Sequence, residues 1–382
     1  MQEIYLNHAG TSWPKPTAVR ESVAESLLVP PDLWAERFKK GHLAIANFFG
    51  VNDPKQILLT PGCTSALAVG IGDALLRSGQ RMLTSRWEHH AVHRPLLKRA
   101  SVENPLDYIS PVSGASPSSS ELVDLEALEQ ELNKGDVGLI AMTAACNVTG
   151  EFLPYREVVE LAHRFDTLVL IDAAQIVGWV DLNLEELGAD LVAFGGHKGL
   201  QGPWGIGGLF MSDRANMECA TATCELPVDK HLPKQTEARP SYCDSGSVDL
   251  FALAGLHAAI DLLGQQNLEA NLQKARQQAI RVRDALESSA SLQFFGHREE
   301  RLPTLAFRIP GSESREVASH LATCGLRVGS GIHCAPMAHE MLGTQDTGLV
   351  RISIGVGQED SEIDEAIVRL IRAFNDAALN EV

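Results

Sequence analysis

Between residues 55 and 211 the chain alternates short apolar runs with amphipathic segments, and this alternation limits the fold more than any other feature. "QILLT", "RMLTS", "VGLIAMT", "TLVLID", "DLVAFG" and "IGGLFM" each read as a strand, with "TSALAVGIGDALL", "HHAVHRPLLKRA" and "YREVVELAHRF" as helices between them. Runs that are apolar throughout, rather than at every second residue, belong to a sheet covered on both faces. The pattern predicts an α/β fold, a mostly parallel sheet flanked by helices. "SPVSGASPSSS" reads as a polar surface loop. After about residue 262 the texture changes. A long polar helix, "NLEANLQKARQQAIRVRDALESS", leads into "LPTLAFRIP", a helix, "LVRISIG" and a final helix, which predicts a smaller α+β unit. A length of 382 residues suits two such units.

Charge and cysteine usage exclude whole classes of function. The net charge is −17, which opposes binding to nucleic acid or to anionic membranes. No apolar stretch approaches the roughly 20 residues of a membrane helix. The opening "MQEIYLNHAG" lacks a basic region followed by an apolar run, so no secretory signal is expected. The seven cysteines, Cys63, Cys146, Cys219, Cys224, Cys243, Cys324 and Cys334, are scattered and form no C-x-x-C pair. A disulfide framework or zinc ribbon is therefore not expected, and a reducing cytoplasm is.

Ligands of open α/β sheets bind beyond the carboxyl ends of the strands, so the residues that follow each strand are the candidates. After "QILLT", Gly62 permits a tight turn and Thr64 and Ser65 open a helix, either as plain caps or as an anion cradle. After "RMLTS", His89, His90 and His93 are surface groups, metal ligands or, for one of them, a ring stacked on a flat ligand. Asn147 follows "LIAMT" as a turn residue or an amide for a ligand oxygen. Asp172 ends an almost wholly apolar strand and needs a partner, a helix cap or a cationic ring nitrogen. His197 and Lys198 follow "DLVAFGG", with glycines at 195, 196, 199, 202, 205, 207 and 208 leaving room for a bulky group. A lysine in such a crevice acts as a Schiff-base amine when its pKa is depressed. Singly, each residue has an ordinary structural reading. Jointly, an anion cradle, a stacking imidazole, a carboxylate and an amine are what pyridoxal 5'-phosphate requires.

At this point the sequence resembles the cysteine desulfurase and selenocysteine lyase branch of the class V aminotransferase superfamily, fold-type I pyridoxal-phosphate enzymes. The resemblance is carried by "YLNHAGTSWPKP", "TPGCTSAL", "EHHAVHRPL", "CNVTGEFLP", "LIDAAQIVG", "FGGHKGLQGPWGIGGLF", "SGSVDL", "GIHCAPMAHEMLGT" and "VRISIG". It implies that Lys198 bonds the coenzyme aldehyde and Asp172 pairs with the pyridine nitrogen. It gives Gln175 to the phenolic oxygen, His89 to the ring face, and Asn147 to that oxygen and the substrate carboxylate. Thr64 and His197 would hold the phosphate, with Cys63 in the same turn. Ser247 would reach the phosphate of a partner subunit, which implies a homodimer. Arg351 would clamp the carboxylate of an amino-acid substrate. Cys334 would attack the sulfur of L-cysteine, leaving L-alanine and a persulfide, with His333 as its neighbour.

Pro336, opening a helix just after Cys334, resembles the desulfurase group with a short cysteine loop, which often uses a sulfur-acceptor protein. The resemblance also implies three parts: an N-terminal segment 1–15 packed with the small domain, a large coenzyme domain 16–262 and a small domain 263–382. Three positions depart from the family's pattern. Gly329 stands where R-x-G-x-H-C has its arginine, with Arg327 two residues earlier. Gly195 replaces a serine that contacts phosphate, and "NHAG" stands for "DNAA". A class V enzyme that does not use Cys334 (a selenocysteine lyase, C–S lyase or aminotransferase) is the alternative. A nicotinamide dehydrogenase would need G-x-G-x-x-G between a first strand and a helix, and "GVGQED" lacks the third glycine. The scattered cysteines oppose an iron–sulfur or metal-binding module.

Overall fold

The computed structural model describes residues 2–109, 111, 122–215, 248–288, 292–299 and 301–378. Its thirteen described strands are β1 (Ile4–Tyr5), β2 (Ile57–Thr60), β3 (Arg81–Thr84), β4 (Leu106–Tyr108), β5 (Val137–Thr143), β6 (Leu168–Asp172), β7 (Leu191–Gly195), β8 (Gly207–Met211), β9 (Gln293–Phe295), β10 (Thr304–Arg308), β11 (Leu326–Arg327), β12 (Gly329–Gly331) and β13 (Leu349–Ser353). Seven of them form one sheet in the order β2-β8-β7-β6-β5-β3-β4. Only β8 runs against the rest, because it pairs antiparallel with both β2 and β7. The expected mostly parallel sheet is thus present. The carboxyl ends of β2, β3, β5, β6 and β7 all open on one edge.

The continuous apolar runs have the expected cause. Every residue of β5 is buried, and its side chains alternate between two cores. Leu139 and Ala141 pack with Leu67, Ile71, Val92 and Leu96 from helices Cys63–Asp73 and His90–Arg99. Ile140 and Met142 face the opposite core with Val169, Ile171, Val192 and Phe194. β4 was not expected from the sequence. It is a three-residue edge strand that is only partly buried, so it lacks a continuous apolar run. The polar loop expected at 110–120 lies outside the described residues, apart from Pro111.

A second sheet, β12-β13-β10-β9, is antiparallel and packs beside the long helix Leu268–Glu287. The N-terminal segment joins both units. β1 lies parallel to β11, the Leu6 amide donates to Arg327 O, and the Ala9 amide donates to Ser353 Oγ. A few residues on, Thr11 Oγ1, Ser12 Oγ and Lys15 Nζ all donate to the carbonyl of His197. The first fifteen residues therefore tie the small sheet to the peptide before Lys198.

Candidate active site

Side chains from all five strand ends surround one cavity of about 170 Å³, lined by Cys63, Thr64, Ser65, His89, Asn147, Asp172, Gln175, His197 and Lys198 among others. Helix Cys63–Asp73 begins at Gly62 with no side-chain cap, and since the Ser65 amide turns back to Gly62 O, the Cys63 and Thr64 amides are the first-turn donors left to the cavity. That is an anion site of the kind a phosphate uses.

Asp172 closes β6, and its Oδ1 accepts from the Ala174 amide at 2.9 Å and from Cys63 Sγ at 3.3 Å. These two contacts fix the carboxylate plane, and Oδ2 has no partner among the described residues. Burial, then the Asp172 charge, pushes the Cys63 thiol well up, so it stays a neutral donor. Gln175 is buried three residues on, and its Nε2 donates to Ala9 O at 3.3 Å.

His89 caps helix His90–Arg99, its Nδ1 accepting from the Ala91 amide at 3.0 Å. The neutral ring therefore carries its proton on Nε2. Burial, helped by the Lys198 charge, lowers its pKa to about 4. His93 turns away and meets the Tyr108 hydroxyl at 2.6 Å. His197 stacks on Trp204 with centroids 4.5 Å apart, and its Nδ1 meets Thr11 Oγ1 at 3.1 Å. Burial lowers its pKa to about 4 as well.

Lys198 keeps some accessible surface because it lines the cavity, yet its amine is enclosed by protein. Desolvation lowers its pKa, opposed by the charge of Asp172. The amine makes no hydrogen bond or ion pair among the described residues. A desolvated lysine with no partner is costly, and it is what an imine-forming amine requires. The glycines around it serve mainly another purpose than the one expected. A Cβ on Gly199 would stand 2.3 Å from Val177 O, on Gly207 2.4 Å from Phe194 O, and on Gly202 2.9 Å from Gly196 O. These glycines let backbones touch. Only Gly195 and Gly205 line the cavity, where an added Cβ would meet nothing closer than 3.5 Å.

The small sheet supplies the opposite wall. Arg351, on β13, is buried, and desolvation lowers its pKa to about 10, so it stays cationic at neutral pH. Its Nη1 donates to Asn147 O at 2.6 Å and its Nη2 to Asn7 Oδ1 at 3.0 Å. Asn147 Nδ2 donates to His333 O at 2.7 Å, and the His90 amide donates to Cys334 O at 2.7 Å. The loop of the exposed Cys334 is thereby tied to the ends of β3 and β5. Cys334 is within electrostatic reach of both Lys198 and Arg351. His333 donates from Nε2 to Leu349 O at 3.0 Å, and burial holds its pKa well below the usual range. It is neutral, so it orients the loop, and the cation within reach of the thiol among the described residues is Arg351. Ser247 lies outside the described residues.

Two residues escaped sequence reasoning. Glu88 is buried beneath the site, where its Oε2 accepts from the Thr143 amide at 2.8 Å and its Oε1 from Ser85 Oγ at 2.5 Å. Burial raises its pKa to about 8. Glu88 is thus held neutral at pH 7 beside Asp172. The second is Asn7, already met as the partner of Arg351. The one sequence signal for Glu88 is a lone acid between Trp87 and His89.

Two buried polar atoms of the wall, Asn147 Oδ1 and Arg351 Nε, have no partner. With the unpartnered Lys198 amine and the uncapped helix, they fit a ligand bearing an aldehyde, a phosphate and a carboxylate-carrying substrate. The fold and this site define an α/β enzyme built to hold pyridoxal phosphate. The chain belongs to the class-V aminotransferase family, which matches residues 32–366 and whose members depend on that coenzyme. It is 27% identical over 387 residues to a cysteine desulfurase of Cronobacter sakazakii, covering 96% of this chain and 92% of that one. It is 27% identical over 354 residues to a probable cysteine desulfurase of Mycolicibacterium paratuberculosis, covering 90% of this chain and 50% of that one. The chain thus spans about half the length of that relative, and 56% of a similar one from Mycobacterium leprae. Its fold matches the crystal structure of the cysteine desulfurase CsdA of Escherichia coli with a TM-score of 0.84 at 23% identity, covering 98% of this chain and 95% of that one. Among the described residues no helix is long and apolar enough to cross a membrane.

Acidification is expected to destabilise this site. His89, His197 and the half-buried His8 each have a folded pKa lowered to about 4 from 6.5. The unfolded chain takes up these protons first, so stability is whole above pH 6.5 and is lost as pH falls toward 4. Glu88 works in the opposite sense. Its raised folded pKa withdraws stability as pH rises from 4.5 through about 8. Denaturant midpoints at pH 7, 6 and 5 check the balance: they should fall stepwise, and a Glu88→Gln variant should fall more steeply, because the opposing contribution of Glu88 is then gone.

Proposed function

We propose that this chain is a cysteine desulfurase that converts L-cysteine to L-alanine and receives the sulfur on Cys334 as a persulfide. The observation that carries the reading is the Cys334 loop, whose backbone is held by Asn147 and His90 and whose exposed thiol is within electrostatic reach of Lys198 and Arg351. When bound, pyridoxal phosphate supplies an electron sink for the bonds broken at the substrate's α- and β-carbons. Thr64, His197, Ser65 and the free first-turn amides would take its phosphate, and Asp172 would pair with its ring nitrogen. His89 would pack on the ring, and Gln175 with Asn147 would serve its phenolic oxygen. Lys198 would hold its aldehyde, and its Nζ would carry the substrate's α-proton. Arg351 grips the substrate carboxylate in a site dry enough for that contact to count.

The Cys334 thiolate then attacks the substrate sulfur. The new S–S bond forms as the C–S bond breaks, the electron pair stays on carbon, and a proton delivered there completes alanine. The thiol proton and the substrate's S–H proton balance the alanine methyl and the persulfide hydrogen. The reading includes a homodimer with Ser247 at the partner's phosphate, a sulfur-acceptor protein, and the division into segment 1–15, large domain 16–262 and small domain 263–382. The test is turnover of L-cysteine by coenzyme-loaded protein with a thiol reductant. Alanine and sulfide should appear in equal amounts. Pyruvate and ammonia in place of alanine would mark a C–S lyase and sink the proposal.

A further inference from the structure

We propose that Asn7 is the positioning residue that aims the Arg351 guanidinium at the substrate carboxylate, and that position 329 is glycine because Asn7 fills its side-chain space. The inference rests on the reading of Arg351 as the carboxylate clamp. Gly329 lies directly opposite Arg351 in the β12–β13 ladder, so a side chain there would stand on the face that carries the guanidinium. Its backbone is not in the left-handed region, so nothing in its conformation demands glycine. The obstacle is steric. A Cβ at 329 would lie 2.8 Å from Asn7 Oδ1 and 3.3 Å from His333 Cε1. The Asn7 oxygen that would be struck is the one that accepts from Arg351 Nη2 at 3.0 Å.

The Asn7 backbone cannot yield easily. Its carbonyl accepts from the Gly10 and Thr11 amides and from the Tyr5 hydroxyl, and the residue bridges to Ser353 beside Arg351. Two apparently separate sequence departures, Asn7 in "NHAG" and Gly329 before "GIHC", therefore meet at one atom. Charge gives the pair its sense. A neutral amide fixes the guanidinium plane without spending its charge, whereas a carboxylate at position 7 would pair with Arg351 and compete with the substrate. One cation, held by Asn7 and Asn147, is left to read one carboxylate.

The experiment uses the full, coenzyme-loaded chain and two probes, L-alanine and L-alaninamide, whose dissociation constants are measured by calorimetry. Asn7→Asp, which keeps size and adds charge, should weaken L-alanine about tenfold and leave L-alaninamide unchanged. Gly329→Ala should weaken L-alanine roughly fivefold in the native background and by less than twofold in Asn7→Ala, because the obstructing amide is then gone. Thermal midpoints of the same four-protein cycle read the steric contact without ligand: Gly329→Ala should lower the midpoint only where Asn7 is present. Equal L-alanine affinity in native and Asn7→Asp protein, or a Gly329→Ala effect independent of residue 7, overturns the proposal. If the native protein binds the two probes alike, the clamp reading of Arg351 falls and the positioning role falls with it, even where the thermal cycle still shows the contact.

Discussion

Alanine at position 198 should give a folded, colourless protein that no longer retains pyridoxal phosphate and turns over L-cysteine at least roughly a thousandfold more slowly. The amine lies in a cavity, desolvated and without a partner, so the native fold bears its cost and gains no contact from it. Removing it takes away an unsatisfied buried group. The thermal midpoint of the coenzyme-free variant should therefore equal or exceed that of the coenzyme-free native chain. This separates a functional lysine from a structural one, because loss of a structural lysine lowers stability and function together. Absorbance in the visible after gel filtration, calorimetric coenzyme affinity and unfolding midpoints are the three measurements. Lys198→Arg should behave like alanine in the first two, since a guanidinium forms no imine. A variant that keeps its visible band and its turnover would remove Lys198 from the chemistry.

The legible and illegible parts of this site differ for a physical reason. In a parallel sheet the chain order brings each strand's carboxyl end to one edge, so the residues that follow five apolar runs could be named together before any coordinate was known. Asp172 and Lys198 stood out because charge at the end of a buried run is costly. Arg351 gave no such sign, since its strand lies in a different sheet, and its role came through family resemblance. Asn7 showed only as part of the "NHAG" departure, and its pairing with Arg351 did not show at all. Its contact spans 344 residues and depends on β1 lying beside β11, which no local periodicity reports. β12, of sequence Gly-Ser-Gly, offers no side-chain pattern at all. Glu88 needed burial to be known before its protonation could be argued. The glycines near Lys198 were seen but explained by the coenzyme, while most of them answer to neighbouring backbone. Sequence showed that space was needed there and gave no sign of what would fill it.

Cys334→Ala should cut alanine formation from L-cysteine by roughly a hundredfold or more while leaving coenzyme retention and L-alanine affinity unchanged. The thiol stands outside the cavity wall, touches neither Asp172 nor the uncapped helix, and contributes little packing because it is exposed. Its placement is nevertheless costly. His333 and Cys334 both have left-handed backbones, φ 46° and 57°, which costs non-glycine residues about 1–2 kcal/mol each. Four hydrogen bonds hold them there: Asn147 to His333 O, His333 to Leu349 O, His90 to Cys334 O, and Ala335 to Ile332 O. A loop that bears such strain only to present an exposed small side chain is spending stability on position. Cys334→Gly separates the two quantities. It should match alanine in lost turnover yet raise the unfolding free energy by up to about 1 kcal/mol, because glycine occupies the left-handed region freely. Cys334→Ser should stay inactive, since a hydroxyl cannot supply a thiolate at neutral pH. Mass spectrometry of the native chain after L-cysteine, without reductant, should find one added sulfur on the peptide that contains Cys334. Undiminished alanine from the alanine variant would mean that sulfur leaves without this thiol, and the loop's strain would then need another cause.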